Sequence, residues 1–149
     1  MESSIYANMD AAMRDFFKAY EDVSQNKDVM QLSRTTTPDC SRHIYPVTFT
    51  ESIGKPADWH MSNEEYHGFL ALNLPKISNI RYKISETCID ITQRKGSARV
   101  VLNTTETSGE HAMEQVWFFD FTDDGAKMKV VGEFLDTVKA ASNRKDMPE

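Results

Sequence analysis

Apolar and polar positions follow two different periods along the chain. Ile5, Met9, Met13, Phe16, Phe17, Tyr20 and Val23 recur every three or four residues, which predicts a helix over residues 5–25 with one apolar face. Asn26 is placed to cap a second, shorter helix through Val29, Met30 and Leu32. The Thr35-Thr36-Thr37-Pro38 run ends it, because the residue before a proline is pushed out of the α region. Residues 39–49 are rich in β-formers and hold Pro46, so they predict a strand that lies at an edge or bends at the proline. Arg42 and Ile44 share one face of it, and Ser41, His43 and Tyr45 the other. Residues 50–61 carry Gly54, Pro56, Trp59 and His60 and read as a loop long enough to serve as a lid. Ser62-Asn63-Glu64-Glu65 fits a capping box that starts a third helix over residues 63–74, through Tyr66, Phe69, Leu70 and Leu72.

Beyond Pro75 the period drops to two. Strands over residues 80–92 and 98–107 are joined at Arg94-Lys95-Gly96, and a hairpin of residues 110–122 and 126–136 turns at Asp123-Asp124-Gly125, where Asp-Gly supplies positive φ. Alternation puts His111, Met113, Gln115, Trp117, Phe119 and Phe121 on one side of the first hairpin strand, and Lys129, Val131, Glu133 and Leu135 on one side of the second. Val130, Phe134 and Val138 continue an apolar row on the opposite side, so both faces of the last strand need cover, from helices or from a second subunit. The order predicts a cone-shaped α+β barrel, with three N-terminal helices packed on a strongly bent, mostly antiparallel sheet. One domain spans residues 1–149, with an ordered core over 5–138 and a polar tail that frays from Ala140. A sheet bent around the first helix leaves a conical pocket lined by its inner face, a site for a small molecule.

Charge narrows the partners. The net charge is −6, from 23 acidic and 17 basic residues, and the basic ones are scattered, so no patch exists to neutralise a nucleic-acid backbone. Glu2, Asp10, Arg14, Asp15 and Lys18 break any secretory apolar core, and no run reaches the roughly 18 apolar residues of a membrane span. A cytoplasmic protein with neither nucleic-acid nor membrane partners is the expectation. Cys40 and Cys88 read as buried thiols, because two cysteines in a cytosolic chain are more often packing groups than a disulfide.

Several local features together carry a resemblance. They are the order of elements, the Pro38-Asp39-Cys40 lead-in to the first strand with Pro46 behind it, the Ser-Asn-Glu-Glu-Tyr helix start, and Val131-Gly132-Glu133-Phe134-Leu135-Asp136 after an Asp-Asp-Gly hairpin. Over about residues 5–138 the chain resembles the SnoaL-like branch of the nuclear transport factor 2-like superfamily. More narrowly, it is similar to the small fungal isomerases and cyclases of natural-product pathways, including meroterpenoid and alkaloid ones. The resemblance implies a homodimer packed through its sheets and acid-base chemistry in the cone with no cofactor. It also implies catalytic roles for a glutamate at the position of Glu133 and an arginine in the first strand, most simply Arg42. The strand before the last usually contributes a tyrosine or histidine in that family. Here His111 and Gln115 face inward, and no tyrosine does.

The residues themselves point the same way. A carboxylate in a strand apolar on both faces needs a purpose, because an unpaired buried charge costs several kcal/mol. Glu133 is therefore the candidate base, against the alternative of a rim carboxylate paired with Lys129. Arg42 is its natural counter-charge, and His111, with an ordinary pKa of about 6.5, suits proton transfer in either direction. Gln115, Trp117, Phe17, Trp59 and His67 are the candidate substrate-contacting groups. His60, Glu64 and His67 have metal-ligand spacing on a continuous helix, but the capping box at Ser62 leaves His60 outside it, and no metal is expected. The function read from these features is isomerisation or cyclisation of a bulky apolar natural product. The alternatives are hydrolysis or dehydration in the same fold, and a non-catalytic dimeric binding module.

Overall fold

A computed structural model describes residues 2–144. Helix α1 (Glu2–Asn26) carries the predicted stripe, with Met9, Met13, Phe16, Phe17, Tyr20 and Val23 all buried. A 3-10 turn, Val29–Ser33, replaces the expected second helix. Its cap is Asp28, which accepts from the Met30 amide at 3.2 Å, while Asn26 closes a turn by accepting from the Asp28 amide. Lys27 between them has φ 62°, which breaks the α path.

Strand β1 (Thr36–Tyr45) begins and ends earlier than the pattern predicts. The threonines and Pro38 lie within it, and Pro46 opens a short helix, α2 (Val47–Ser52), rather than bending a strand. Two further elements shorten the expected loop: α2 at its start and the two-residue strand β2 (His60–Met61) at its end. Helix α3 (Asn63–Asn73) has the capping box in full, with Ser62 Oγ accepting from the Glu65 amide at 3.1 Å and Glu65 Oε1 accepting from the Ser62 amide at 3.3 Å. Four antiparallel strands follow: β3 (Ile77–Asp90), β4 (Lys95–Glu106), β5 (Gly109–Phe121) and β6 (Met128–Leu135).

The six strands form one sheet in the order β2-β1-β6-β5-β4-β3. β1 adds beside β6 in parallel, so the sheet is mixed, and it stays open at β2 and β3 instead of closing into a barrel. Its inner face receives α1. Phe16 meets Trp117 and Phe119 edge to face at 5.2 and 5.1 Å, and Phe17 packs on Tyr82 and Trp117 at 4.9 and 5.8 Å. Each such pair adds about 0.5–1.5 kcal/mol to what ring burial alone contributes.

Four expectations need correction. Lys129 does not share the inner face with Val131, because the register of β5 and β6 shifts between Asp120 and Phe121, and Lys129 is the extra, exposed residue of that bulge. Val138 does not extend the row of Val130 and Phe134. The chain leaves the sheet at Asp136, which caps helix α4 (Thr137–Arg144) by accepting from the Val138 and Lys139 amides, and Val138 stands exposed on it. The tail is therefore helical past Ala140, and residues 145–149 lie outside those described. Cys40 is buried, but Cys88 is exposed on β3, on the face away from α1.

The β5–β6 turn rests against α1, with Gly125 at φ 76° and its ideal Cβ position 2.8 Å from Met9 Cγ and 3.0 Å from the Ile5 carbonyl oxygen. Gly125→Ala should therefore lower stability by about 1–3 kcal/mol, from left-handed strain plus overpacking. A chemical denaturation midpoint equal to that of the parent chain would show that the turn yields without cost.

Candidate active site

Strand register brings Glu133 to the centre of the inner face. It sits opposite Trp117 on β5 and beside Ile44 on β1, while Arg42 pairs with Val131 one diagonal step away, roughly 8 Å between α-carbons at ordinary strand spacing. Trp117 Nε1 can only donate, and it donates to Gln115 Oε1 at 2.9 Å, which turns the amide nitrogen of Gln115 toward Glu133. That nitrogen donates to Glu133 Oε1 at 2.8 Å. One carboxylate oxygen is thus held, while Oε2 has no protein partner among the described residues and keeps an accessible surface. Glu133 lies deep among large side chains yet retains an open edge. Burial pushes its pKa from 4.5 up to about 7, and the Arg42 charge opposes the rise without cancelling it.

Arg42 is 3% exposed, and among the described residues no carboxylate forms an ion pair with it. Its Nε donates to Asn63 Oδ1 at 3.0 Å and its Nη2 to the Leu32 carbonyl at 2.9 Å, while its Cζ lies 4.6 Å from the centre of the Tyr66 ring. Asn63 is itself fixed, donating to the Thr37 carbonyl at 2.9 Å and accepting from Thr36 Oγ1 at 3.3 Å. Arg42 Nη1 is buried and meets no hydrogen-bond partner among the described residues, though the guanidinium lies near enough to the Tyr20 hydroxyl to offset part of the rise that burial causes in its pKa.

Two residues that the sequence reading treated as packing belong to this cluster. Tyr20 on α1 and Tyr66 on α3 are buried, and their hydroxyls are 2.6 Å apart. Burial holds both phenols well above their ordinary range. The Glu133 charge adds to the rise, and the Arg42 charge reduces it. The available signal was a phenol on the apolar face of each of two helices, since a buried tyrosine hydroxyl needs a hydrogen-bond partner. Asn63 was hidden inside the capping box.

The other expected site residues divide. Gln115, Trp117 and Phe17 are buried in the assembly around Glu133. His67 is buried on α3 and bonded through Nε2 to Ser33 Oγ, and burial and then the Arg42 charge lower its pKa, so it stays neutral. Trp59 is half-buried in the 53–59 segment, with the Lys55 ammonium 5.2 Å from its ring. His111 is not part of the cluster. It is exposed near the β4–β5 turn, bonded to Ser108 Oγ at 2.9 Å, and six residues along β5 from Trp117, about 20 Å at strand rise. The parity reading gave its side correctly but not its distance from Glu133. His60 lies on β2 stacked against His43 at 5.1 Å, away from His67. Among the described residues no group of three His, Cys, Asp or Glu side chains is arranged to hold a metal ion. Two surface clefts, of about 430 and 340 Å³, lie elsewhere: one between the end of α1 and residues 75–78 and 106–107, the other on the outer sheet face around Cys88 and Arg99.

No protein-family model matches the sequence, and no curated protein matches it either. Solved structures do match. The pinacolase BvnE from Penicillium brevicompactum superposes with a TM-score of 0.79 at 15% identity, over 96% of this chain and 94% of that one. PrhC from Penicillium brasilianum gives 0.71 at 15% identity, over 91% and 86%. A protein assigned as a SnoaL-like polyketide cyclase, from Shewanella denitrificans, gives 0.61 at 10% identity, over 90% and 97%. The chain thus has the cone-like α+β fold of the SnoaL-like proteins of the nuclear transport factor 2-like superfamily.

Proposed function

We propose that this protein is a cofactor-independent isomerase or cyclase that uses Glu133 as a general base on a bulky, mostly apolar natural-product intermediate. The observation that carries the reading is Glu133 itself. It is a carboxylate whose pKa is brought to about 7 by burial, with one oxygen pinned by Gln115 and the other accessible. An acid-base group tuned to the working pH is the most effective proton acceptor at that pH. Half-buried Leu102, Met113, Leu135 and Tyr82 continue the inner face beyond Gln115, as an apolar substrate requires. Structural likeness to a pinacolase of Penicillium brevicompactum and to a protein assigned as a SnoaL-like polyketide cyclase supports a role on a natural-product intermediate. A fungal meroterpenoid pathway and a cytoplasmic location complete the proposal.

Glu133→Gln keeps the shape and the hydrogen bond from Trp117 through Gln115 but removes the base. Turnover should fall by about 10²- to 10⁴-fold, and kcat/KM of the parent should rise with pH through about 7. Retention of full turnover on the native substrate would make Glu133 structural.

Stability gives a second readout. Because the folded-state pKa lies above the unfolded one, Glu133 costs nothing at pH values below 4.5, where both states are protonated. Stability then falls as pH rises from 4.5 to about 7, and the loss is complete above that. The full cost is about 3 kcal/mol at most. Glu133→Gln should flatten this slope and melt at a higher temperature than the parent at pH 8. A parent and variant with parallel pH profiles would show that the carboxyl is not desolvated.

We also propose a homodimer packed through the outer sheet face. Phe118 and Phe134 are diagonal neighbours there, opposite Gly132 and Val116 respectively, at 47% and 44% exposure, with Val116 and Val130 half-buried on the same face. Sedimentation should give twice the chain mass at micromolar concentration, and Phe134→Lys should give a monomer. A monomeric parent chain would overturn the assignment.

A further inference from the structure

The inner face does not end at its apolar strip. β4 and β5 keep one register from Lys95 opposite Asp120 to Glu106 opposite Gly109. Alternation therefore carries the inner side of Trp117 and Gln115 unbroken to Met113 and His111 on β5, and to Leu102, Thr104 and Glu106 on β4. Beyond half-buried Leu102, Met113 and Leu135 the face turns polar, with Thr104 directly opposite His111. The side chains there are open to a ligand. His111 and Glu106 are 40% and 33% exposed, and the cleft of about 430 Å³ at the end of α1 opens beside Glu106. Their hydrogen-bonding capacity is only partly used. Ser108 Oγ lies 2.9 Å from His111 Nε2, and Glu106 has hydroxyl contacts only at 3.5 Å, from Thr104 and Ser108. Ser108 has one hydroxyl proton. When it donates that proton to His111 Nε2, Glu106 Oε2 is left open as an acceptor, and the ring proton sits on Nδ1, which has no protein partner among the described residues.

We propose that Glu106 and His111 form a second polar subsite, which holds a hydroxyl at the end of the substrate remote from Glu133. The inference rests on the reading of Glu133 as base and adds the shape of its substrate: an extended apolar body with its acidic C–H at one end and a hydroxyl at the other. A hydroxyl matches the subsite because it both gives and takes a hydrogen bond. Its proton goes to the Glu106 carboxylate, and its oxygen accepts from His111 Nδ1. Gln115, which holds Glu133, and His111 are four residues apart on β5, about 13 Å at strand rise, and that sets the length of the body. Leu102, Met113 and Leu135 between them present no strong hydrogen-bonding group, so a hydroxyl placed midway would be buried unpaired, at a cost of about 1–3 kcal/mol. Glu106 and His111 do not reach the reacting carbon. They select and position the substrate and take no part in the proton transfer.

The probes are trans-4,4′-dihydroxystilbene and trans-4-hydroxystilbene, rigid fluorescent rods that differ by one terminal hydroxyl. In fluorescence titrations the parent chain should bind the diol about three- to tenfold more tightly, the size of one hydrogen bond partly open to water. Glu106→Ala and His111→Ala should each bring the two affinities to within about twofold of each other, while the affinity for the mono-ol stays near that of the parent. Glu110→Gln alters an exposed carboxylate that alternation puts on the outer face, and it should keep the parent's preference. Circular dichroism and melting of each variant establish that it is folded. Binding of neither rod, equal affinities for the two in the parent, a preference unchanged in Glu106→Ala or His111→Ala, or the same loss in Glu110→Gln overturns the proposal. The base reading falls separately, if Glu133→Gln retains turnover on the native substrate.

Discussion

A guanidinium at 3% exposure with no carboxylate among the described residues paired to it is the constraint around which the site is built. Removing such a charge from water costs several kcal/mol unless hydrogen bonds and nearby charge replace the solvent. The replacement comes from four places in the chain. The Leu32 carbonyl belongs to the 3-10 turn after α1, Asn63 opens α3, Tyr66 lends its ring face from one turn further along α3, and Glu133 acts through space from β6. The 3-10 turn and the start of α3 are thereby tied to β1. The lead-in of α3 is also tied there by the bonds of Asn63 to Thr36 and Thr37.

The same burial makes Glu133 useful. α1 lays Phe16, Phe17 and Tyr20 against Trp117 and Phe119, and those rings exclude water from the floor of the cone. Exclusion raises the carboxyl's pKa, the cation beside it limits the rise, and the balance falls at about 7. Packing and acid-base behaviour are therefore not separate properties here. The aromatic stripe that closes the core also sets the protonation of the acid, and the Trp117-to-Gln115 hydrogen bond that satisfies an indole also aims an amide at it.

Much of this was legible from residue order. The 3.6-residue stripe placed α1, the Ser62 box placed α3, and period-two alternation with Asp-Gly placed the β5–β6 hairpin and the inward side of Gln115, Trp117 and Glu133. These are local signals, each arising from a few neighbouring residues. The misreadings occurred where one residue decides between paths of nearly equal energy. Lys27 at positive φ stopped a helix, Pro46 began one, and Lys129 formed a bulge that alternation alone cannot see.

What the sequence by itself determined was which faces are apolar, where elements start, and that one acid lies among apolar groups. Those follow from side-chain period and from backbone sterics within a few residues. What only the tertiary structure decided was distance. His111 and Glu133 share the inner face by parity, yet β5 carries them about 20 Å apart. Tyr20 and Tyr66 are 46 positions apart in sequence, yet α1 and α3 bring their hydroxyls to 2.6 Å. Parallel pairing of β1 with β6, the least local contact in the sheet, set Arg42 one step from Glu133. No period encodes such a pairing, because it depends on how separate elements share one core.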